Sequence, residues 1–232
     1  KGFRRCPSAH QMRQLTSYLD KYGHLFAADA CIWEFGSKDE RERVNLVSGL
    51  KGLMYFELHC RGAAIDVHSM HSAYIDNPVH RLSLALASLK DDRGRVLVEG
   101  FYDGVQPPTE EELEAVRRLP FDAAAVRERF GLALPFITDR SGRDPRVVSA
   151  FEPQLSICGI HGGYTGDGAK TVLPKSAFAK LEGRLAAGQD PKRIIAAIRR
   201  HLDRHGFEDV EIRVLNDEQR GFRSDVRHPS SG

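Results

Sequence analysis

Asp66, His68 and Arg184 have the residue types and the placing that a binding or catalytic site requires. A carboxylate two residues before a histidine can orient the imidazole ring or raise its pKa, which leaves the second ring nitrogen to donate a hydrogen bond. Arg184 ends a predicted strand, where its guanidinium could bind a carboxylate through two parallel hydrogen bonds. The same residues could also be an exposed loop histidine and a surface arginine, and their spacing alone favours that simpler interpretation.

Other clusters of polar residues carry weaker signals. His68 and His71 form a His-x-x-His pair, but no further ligand lies within reach in the sequence, so the pair is weak support for a metal. His201 and His205 are one helical turn apart among charged residues, and we expect both on the surface. The glycine-rich segment 162–171 lies between two predicted strands. Because no helix follows it, it indicates a turn rather than a phosphate cradle.

The composition is that of an ordinary globular protein, and it excludes several classes. The chain has 232 residues, 41% hydrophobic and 28% charged, and its 34 lysines and arginines nearly balance 32 aspartates and glutamates. A net charge of +2 gives little reason to expect nucleic-acid binding, which clustered basic residues drive. No apolar run reaches the roughly 20 residues of a membrane span, and no N-terminal apolar segment indicates a secretory signal. We expect a cytoplasmic protein without a membrane partner.

The four cysteines support the same location. Cys6, Cys31, Cys60 and Cys158 include no Cys-x-x-Cys pair that could form a zinc or redox site. Cys60 and Cys158 lie in apolar runs. We therefore expect buried free thiols in a reducing compartment.

The elements that position these residues follow from hydrophobic periodicity. From Leu53 the apolar residues alternate as in a half-buried strand, and Asn77-Pro78 then begins a helix with one apolar stripe. Asp190-Pro191 begins a second such helix. Three further strands are predicted over 155–160, 177–185 and 210–214.

The order strand, helix, strand, strand, helix, strand predicts a ferredoxin-like α+β fold, with an antiparallel sheet and two helices on one face. Residues 93–150 interrupt this order as a long insertion between the first helix and the second strand. The capping box Thr109-x-x-Glu112 begins one helix of the insertion, and Asp122 begins another.

Several segments together resemble a known family. They are Gly49-Leu50-Lys51-Gly52-Leu53, Asp66-x-His68-Ser69, Asn77-Pro78, Gly100-Phe101-Tyr102-Asp103-Gly104 and Lys170-Thr171-Val172-Leu173-Pro174, with Arg184 thirteen positions after Thr171. In this order and spacing they resemble the lid, or dimerisation, domain of the aminoacylase–carnosinase family of dinuclear zinc peptidases, metallopeptidase family 20. The carnosinase-like dipeptidases are the most similar branch.

The resemblance implies roles for the matching positions. His68 would cross the interface of a homodimer and bind the oxygen that becomes negative as water attacks the peptide carbonyl, a contact worth about 3 kcal/mol. Asp66 would orient His68, Thr171 would also reach the substrate, and Arg184 would bind the terminal carboxylate of a small peptide or acyl amino acid. Asp29 would bind one of two zinc ions. The homodimer would form through the helix over residues 78–89 and its neighbouring strand.

The family's other metal ligands have no counterpart here. The only His-x-Asp, His201-Leu202-Asp203, lies in the wrong place, inside a predicted helix. The bridging aspartate and the Glu-Glu pair are missing, so Asp29 is the single remaining candidate ligand. We therefore expect a piece of an enzyme, inactive alone and without bound zinc. Residues 1–48 would be a remnant of an α/β catalytic domain, 49–216 the lid domain with its insertion, and 217–232 a return segment.

Two alternatives to an enzyme fragment remain. A non-catalytic homodimerisation module of the same fold would keep the sheet edge but would have no use for His68, Thr171 and Arg184. A ferredoxin-like nucleic-acid binder is disfavoured, because the net charge is near zero and the predicted strands show no paired exposed aromatic residues.

Overall fold

A computed structural model of the chain describes residues 17, 18, 20–25, 37, 38, 42, 44, 45 and 47–224. Ser48–Val226 forms one compact unit, and the described residues before it belong to a second. The strands are β1 (Ser37–Lys38), β2 (Val44–Asn45), β3 (Gly49–Leu50), β4 (Gly52–Arg61), β5 (Val67–His68), β6 (Gln154–Gly162), β7 (Val172–Leu173), β8 (Ser176–Leu185), β9 (Glu211–Gln219) and β10 (Phe222–Arg223). The α-helices are α1 (Pro78–Ser88), α2 (Glu110–Arg117), α3 (Ala123–Phe130), α4 (Ile137–Ser141), α5 (Pro145–Phe151) and α6 (Pro191–Arg204).

The centre of the larger unit is a four-stranded antiparallel sheet in the order β6-β8-β4-β9. Strands β4 and β8 pair along their whole length, from Gly52 opposite Leu185 to Arg61 opposite Ser176. The predicted alternation along β4 is confirmed, since every second side chain is buried: Met54, Phe56, Leu58 and Cys60. The sheet therefore has one apolar face and one polar face.

Two helices cover the apolar face, as predicted. Helix α1 begins where the Asn77 side chain accepts the N–H of Val79, and α6 begins where Asp190 accepts the N–H of Lys192. In both helices a proline occupies the first turn, where its missing N–H costs no hydrogen bond. Helix α1 packs on β8 and β4, and α6 packs on β9 and β4. The ferredoxin-like α+β fold is thus confirmed.

The insertion contributes α2 to α5 between α1 and β6. Its two predicted caps are present: Thr109 and Glu112 form a capping box, and Asp122 accepts the N–H groups of Ala124 and Ala125.

A buried amide joins the start of the insertion to the end of β8. Gln189 is 1% exposed; its side-chain oxygen accepts the N–H of Ala186 at 2.8 Å, and its side-chain nitrogen donates to the carbonyl of Phe101 at 2.6 Å. Close by, Gly104 has φ +77° and passes so near the carbonyl of Gly188 that a Cβ would lie 2.9 Å from it. Only glycine fits that position.

His201 is buried, so the prediction of a surface histidine is wrong for this residue. It is 6% exposed, its Nε2 lies 3.2 Å from Ser88 Oγ, and its ring stacks on His205 at 4.1 Å. Burial lowers the pKa of His201, and the neighbouring His205 lowers this pKa further.

The two cysteines in the described part of the chain differ in burial. Cys60 is a buried free thiol, as predicted, and burial raises its pKa to about 11. Cys158 is exposed, which corrects the prediction, because it lies at a register shift in β6, an edge strand.

Among the described helices, none is long and apolar enough to cross a membrane.

Candidate functional site

Two short strands bring His68 and Thr171 together from positions 103 residues apart. Strand β5 pairs antiparallel with β7, with His68 opposite Val172, and the N–H of Ser69 donates to the carbonyl of Thr171 at 3.0 Å. Both side chains are exposed. The fold therefore presents an imidazole and a hydroxyl side by side on the surface.

The hydrogen bonds of the His68 ring determine which nitrogen carries the proton. Its Nδ1 accepts the backbone N–H of Met70 at 3.2 Å. An accepting Nδ1 places the proton of the neutral ring on Nε2. The Nε2–H group lies 3.3 Å from Thr171 Oγ1. His68 is thus an oriented hydrogen-bond donor whose position is set by the backbone.

Asp66 holds the neighbouring loop rather than the imidazole ring. Its Oδ1 accepts the backbone N–H of Lys175 at 3.0 Å, just after β7. Among the described residues, no hydrogen bond joins Asp66 to the His68 ring, whose Nδ1 accepts the N–H of Met70. Asp66 thus ties the segment that follows β7 to the segment that precedes β5.

The glycine-rich segment forms a turn beside this pair. The hydroxyl of Tyr164 donates to the carbonyl of Asp167 at 2.8 Å, and Lys170 Nζ lies 5.7 Å from the centre of the Tyr164 ring. The segment leads into β7 rather than into a helix. Together with Asp66 it lines a small cavity of about 200 Å³.

Arg184 lies near the end of β8, on the polar face of the sheet. Its side chain is 45% exposed, and its Nε is 3.4 Å from Glu182 Oε1. It is therefore not buried against an internal acid, and its guanidinium remains accessible to an external carboxylate.

Lys51 adds a second cation beside Arg184. Its Nζ donates to the carbonyl of Glu152 at 2.5 Å and to that of Val148 at 3.3 Å. Burial lowers the pKa of Lys51 to about 8; the carboxylate of Glu152 opposes this shift, and the charge of Arg184 adds to it. Sequence analysis did not identify Lys51, although it lies in the matching Gly-Leu-Lys-Gly segment.

The two parts of the candidate site lie at opposite ends of β8. His68 and Thr171 are beyond Ser176, where the N–H of Gly62 donates to the carbonyl of Lys175. From Ser176 to Arg184 the strand rises about 3.3 Å per residue, which gives about 26 Å. A fully extended dipeptide spans only about 7 Å. Within one chain, the length of β8 between the His68 end and Arg184 is therefore several times the span of a dipeptide.

The described residues offer no metal site. Among them, no group of three or more His, Cys, Asp or Glu side chains could hold a metal ion. Asp29 lies outside the described residues.

The two edges of the sheet differ in chemistry. Strand β6 contains no charged residue, and its Ile157 and Ile160 are 50% and 58% exposed. Strand β9 carries charged residues along its length: Glu211, Arg213, Asp217 and Glu218. Strand β9 also exposes Val214 and Leu215, but charges on an edge strand disfavour its pairing with another chain, so β6 is the edge better suited to pair. Leu84 of the adjacent helix α1 is also 48% exposed.

Three rings stack on the polar face of the sheet, which the sequence did not predict. Phe178 lies 5.3 Å from His59 and 5.2 Å from His161. The rings come from β4, β6 and β8, so no single segment reveals them. Glu57 lies 2.7 Å from His59, and such carboxylates repel a phosphate backbone. The ring stack therefore does not favour nucleic-acid binding.

Comparison with known proteins identifies the domain. Residues 48–210 match the family model of the M20 peptidase dimerisation domain. The Cys-Gly metallodipeptidase DUG1 of Saccharomyces cerevisiae is 28% identical over 159 residues, which cover 68% of this chain and 33% of that protein. The human Beta-Ala-His dipeptidase is 33% identical over 165 residues, which cover 70% of this chain and 31% of that protein. The chain thus spans about a third of the length of these curated relatives.

Solved structures give the same assignment. The M20 family metallo-carboxypeptidase Sso-CP2 from Sulfolobus solfataricus superposes with a TM-score of 0.83 at 33% identity, over 94% of this chain and 49% of that one. Human carnosine dipeptidase 1 shares the fold, with a TM-score of 0.71 at 22% identity, over 94% of this chain and 47% of that one. The chain belongs to the M20 peptidases, and residues 48–210 are their dimerisation domain.

Proposed function

We propose that this chain is the lid and dimerisation part of a zinc-dependent metallopeptidase that hydrolyses dipeptides or N-acyl amino acids. The observation that carries the proposal is the exposed His68–Thr171 pair, in which the backbone of Met70 fixes the imidazole and its Nε2 lies 3.3 Å from the Thr171 hydroxyl. The relatives named as dipeptidases support the substrate class.

His68 would act on the oxygen of the scissile carbonyl. As water attacks the carbonyl carbon, negative charge develops on this oxygen, and the oriented Nε2–H stabilises it by about 3 kcal/mol. The hydroxyl of Thr171 would supply a second polar contact to the substrate. Asp66 would serve this step indirectly, by holding β7 against β5 through Lys175.

Arg184 would bind the terminal carboxylate of the substrate, with the charge of Lys51 nearby. Because about 26 Å of strand separates Arg184 from the His68 end, the two residues would serve one substrate from two subunits. Each active site would then use Arg184 of its own subunit and His68 of the partner subunit.

The partner would be a second copy of the chain, paired along β6. This edge carries exposed isoleucines and no charge, whereas β9 carries four charged residues. A two-fold axis would make the contact self-complementary, with α1 of each subunit beside it. The family resemblance implies a dimer contact through the helix over residues 78–89, which is α1, and a neighbouring strand.

Two zinc ions would supply the water activation in the complete enzyme. The described residues do not fit such a site, and Asp29 stays the single candidate ligand. We therefore assign no step of this chain to a metal and expect the isolated chain to be inactive. Residues 1–48 and 217–232 would belong to the catalytic domain, and the location would be cytoplasmic.

The test measures peptide hydrolysis. The 232-residue chain with zinc should not cleave dipeptides, and in the proposed full-length enzyme His68→Gln should lower kcat by about 10²- to 10³-fold with little change in KM. His71→Gln is the matched control, since this histidine in the same segment contacts Tyr74 instead of Thr171. Zinc-dependent cleavage by the chain alone, lost in Asp29→Ala, would contradict the proposal. Unchanged kcat in His68→Gln would favour a non-catalytic dimerisation module.

A further inference from the structure

A cleft of about 520 Å³ lies where the insertion meets the end of the sheet. Its size is within the range of small-molecule sites. Three arginines line it together with the ring of Tyr102 and two carboxylates: Arg93, Arg95, Arg143, Asp91 and Glu152.

The turn that follows Lys90 leaves two guanidinium groups without a carboxylate. Asp91 Oδ1 accepts the backbone N–H of Arg93 at 3.0 Å and that of Arg95 at 2.7 Å, so this acid shapes the turn. In the part of the chain that the structure describes, neither arginine side chain forms an ion pair. The guanidinium of Arg95 instead lies 5.6 Å from the centre of the Tyr102 ring.

The third arginine, Arg143, is already paired with the second carboxylate of the cleft, that of Glu152. Arg143 Nη1 forms an ion pair with Glu152, and its Nε donates to Ser141 Oγ at 3.1 Å. Glu152 is therefore neutralised within the wall of the cleft. Arg143 is held by these two contacts, with 33% of its side chain exposed.

Two lysines behind the cleft add further positive charge. Lys90 Nζ donates to the carbonyl of Leu155 at 3.2 Å, and Lys51 Nζ donates to the carbonyl of Glu152. Both lysines therefore use neutral acceptors. Burial lowers the pKa of Lys90, the carboxylate of Asp91 opposes this shift, and the charge of Arg143 adds to it. The region consequently has more positive than negative charge.

We propose that this cleft binds a small polyanion, with Arg93 and Arg95 each gripping one anionic group. A guanidinium presents its N–H groups in a planar arrangement that matches the oxygens of a phosphate or carboxylate. Two neighbouring guanidinium groups therefore favour a ligand that carries two phosphate or carboxylate groups. The ring of Tyr102 lines the cleft beside Arg95 and supplies an apolar surface there. The residues that line the cleft lie outside the peptide site proposed above, although Lys51 contributes charge to both, and the site depends on neither zinc nor dimerisation.

The test is calorimetric titration of the 232-residue chain at constant ionic strength, with inorganic pyrophosphate in one arm and the tricarboxylate tricarballylate in the other. Saturable binding of either anion is expected, and the arm that binds identifies phosphate or carboxylate as the preferred group. The double variant Arg93→Gln with Arg95→Gln should bind at least about tenfold more weakly, because it loses two charge-assisted contacts.

The matched control removes the same charge elsewhere. Arg193 and Arg200 are exposed on α6, so Arg193→Gln with Arg200→Gln should bind the anion as the unmodified chain does. Arg93→Gln alone provides a second, milder variant if the double variant folds poorly. Absence of saturable binding in both arms, or equal weakening in the control, would overturn the proposal.

Discussion

Replacing Ile157 by lysine on the β6 edge should dissociate the proposed homodimer and leave the fold of each subunit intact. Ile157 is 50% exposed in the single chain, so about half of its side chain remains to be buried by a partner. Full burial of an isoleucine contributes about 1.5–3 kcal/mol, and the exposed half therefore contributes about 1 kcal/mol per subunit. Two-fold symmetry includes the residue twice, which gives about 2 kcal/mol.

That loss corresponds to a dimer about 30-fold weaker. The figure is a lower bound, because the two new ammonium groups also lose hydration and repel each other. Sedimentation velocity over a concentration series measures the dissociation constant directly. The subunit should keep its circular dichroism spectrum, since the substituted side chain is half exposed.

Val214→Lys is the matched control. Val214 is 43% exposed and lies on β9, the other edge of the same sheet. This variant should dimerise like the unmodified chain. The reasoning is refuted if Ile157→Lys keeps the unmodified dissociation constant, or if Val214→Lys dissociates the dimer to the same extent.

Three further substitutions test the interior of the domain. Gln189→Leu should lower the free energy of unfolding by about 2–4 kcal/mol, because it leaves the N–H of Ala186 and the carbonyl of Phe101 buried and unpaired. Urea titration measures this loss, and an unchanged unfolding midpoint would contradict the role of the Gln189 hydrogen bonds. The lowered pKa of His201 means that the folded state binds fewer protons than the unfolded state below about pH 6.5, so stability should fall as pH drops there, and His201→Leu should remove that slope. Burial lowers the pKa of Lys51 to about 8, so between about pH 8 and 10.5 the folded state binds fewer protons than the unfolded state. The free energy of unfolding should therefore rise with pH over this range, relative to that of Lys51→Met. Parallel pH profiles of the two proteins would contradict the lowered pKa of Lys51.

The fold was predictable because its signals are local. Alternation from Leu53 fixed β4 and its buried face, and Asn77-Pro78 and Asp190-Pro191 marked both helix starts through caps that need only a few neighbouring residues. The capping box at Thr109 likewise located the first helix of the insertion. Each of these signals depends on residues within one turn or one strand.

The burial of His201 had a signal that its charged neighbours concealed. It lies seven residues after Ile194 and three after Ile198, which places it on the buried stripe of α6. The exposure of Cys158 had no such signal. It depends on β6 being an edge strand, and strand order is a property of the whole sheet.

The geometry of the candidate site could not be predicted from the sequence, which supplies only the candidate residues. Two separate segments, Asp66-x-His68-Ser69 and Lys170-Thr171-Val172-Leu173-Pro174, supplied His68 and Thr171 as candidates. The contact of His68 with the Met70 backbone depends on the local chain path. The separation of His68 from Arg184 depends on where β8 begins and ends relative to β5 and β7. The cleft with Arg93 and Arg95 forms only when the insertion packs against the end of the sheet.

Activity of mixed dimers tests the central claim most directly, namely that each active site uses residues of two subunits. In the proposed full-length enzyme, His68→Gln and Arg184→Met subunits are each nearly inactive as homodimers. After random exchange of equal amounts, half of the dimers are mixed, and each mixed dimer contains one site with both residues intact. The account predicts recovery of about a quarter of the unmodified activity. Activity that stays at the level of the two parent variants would contradict it.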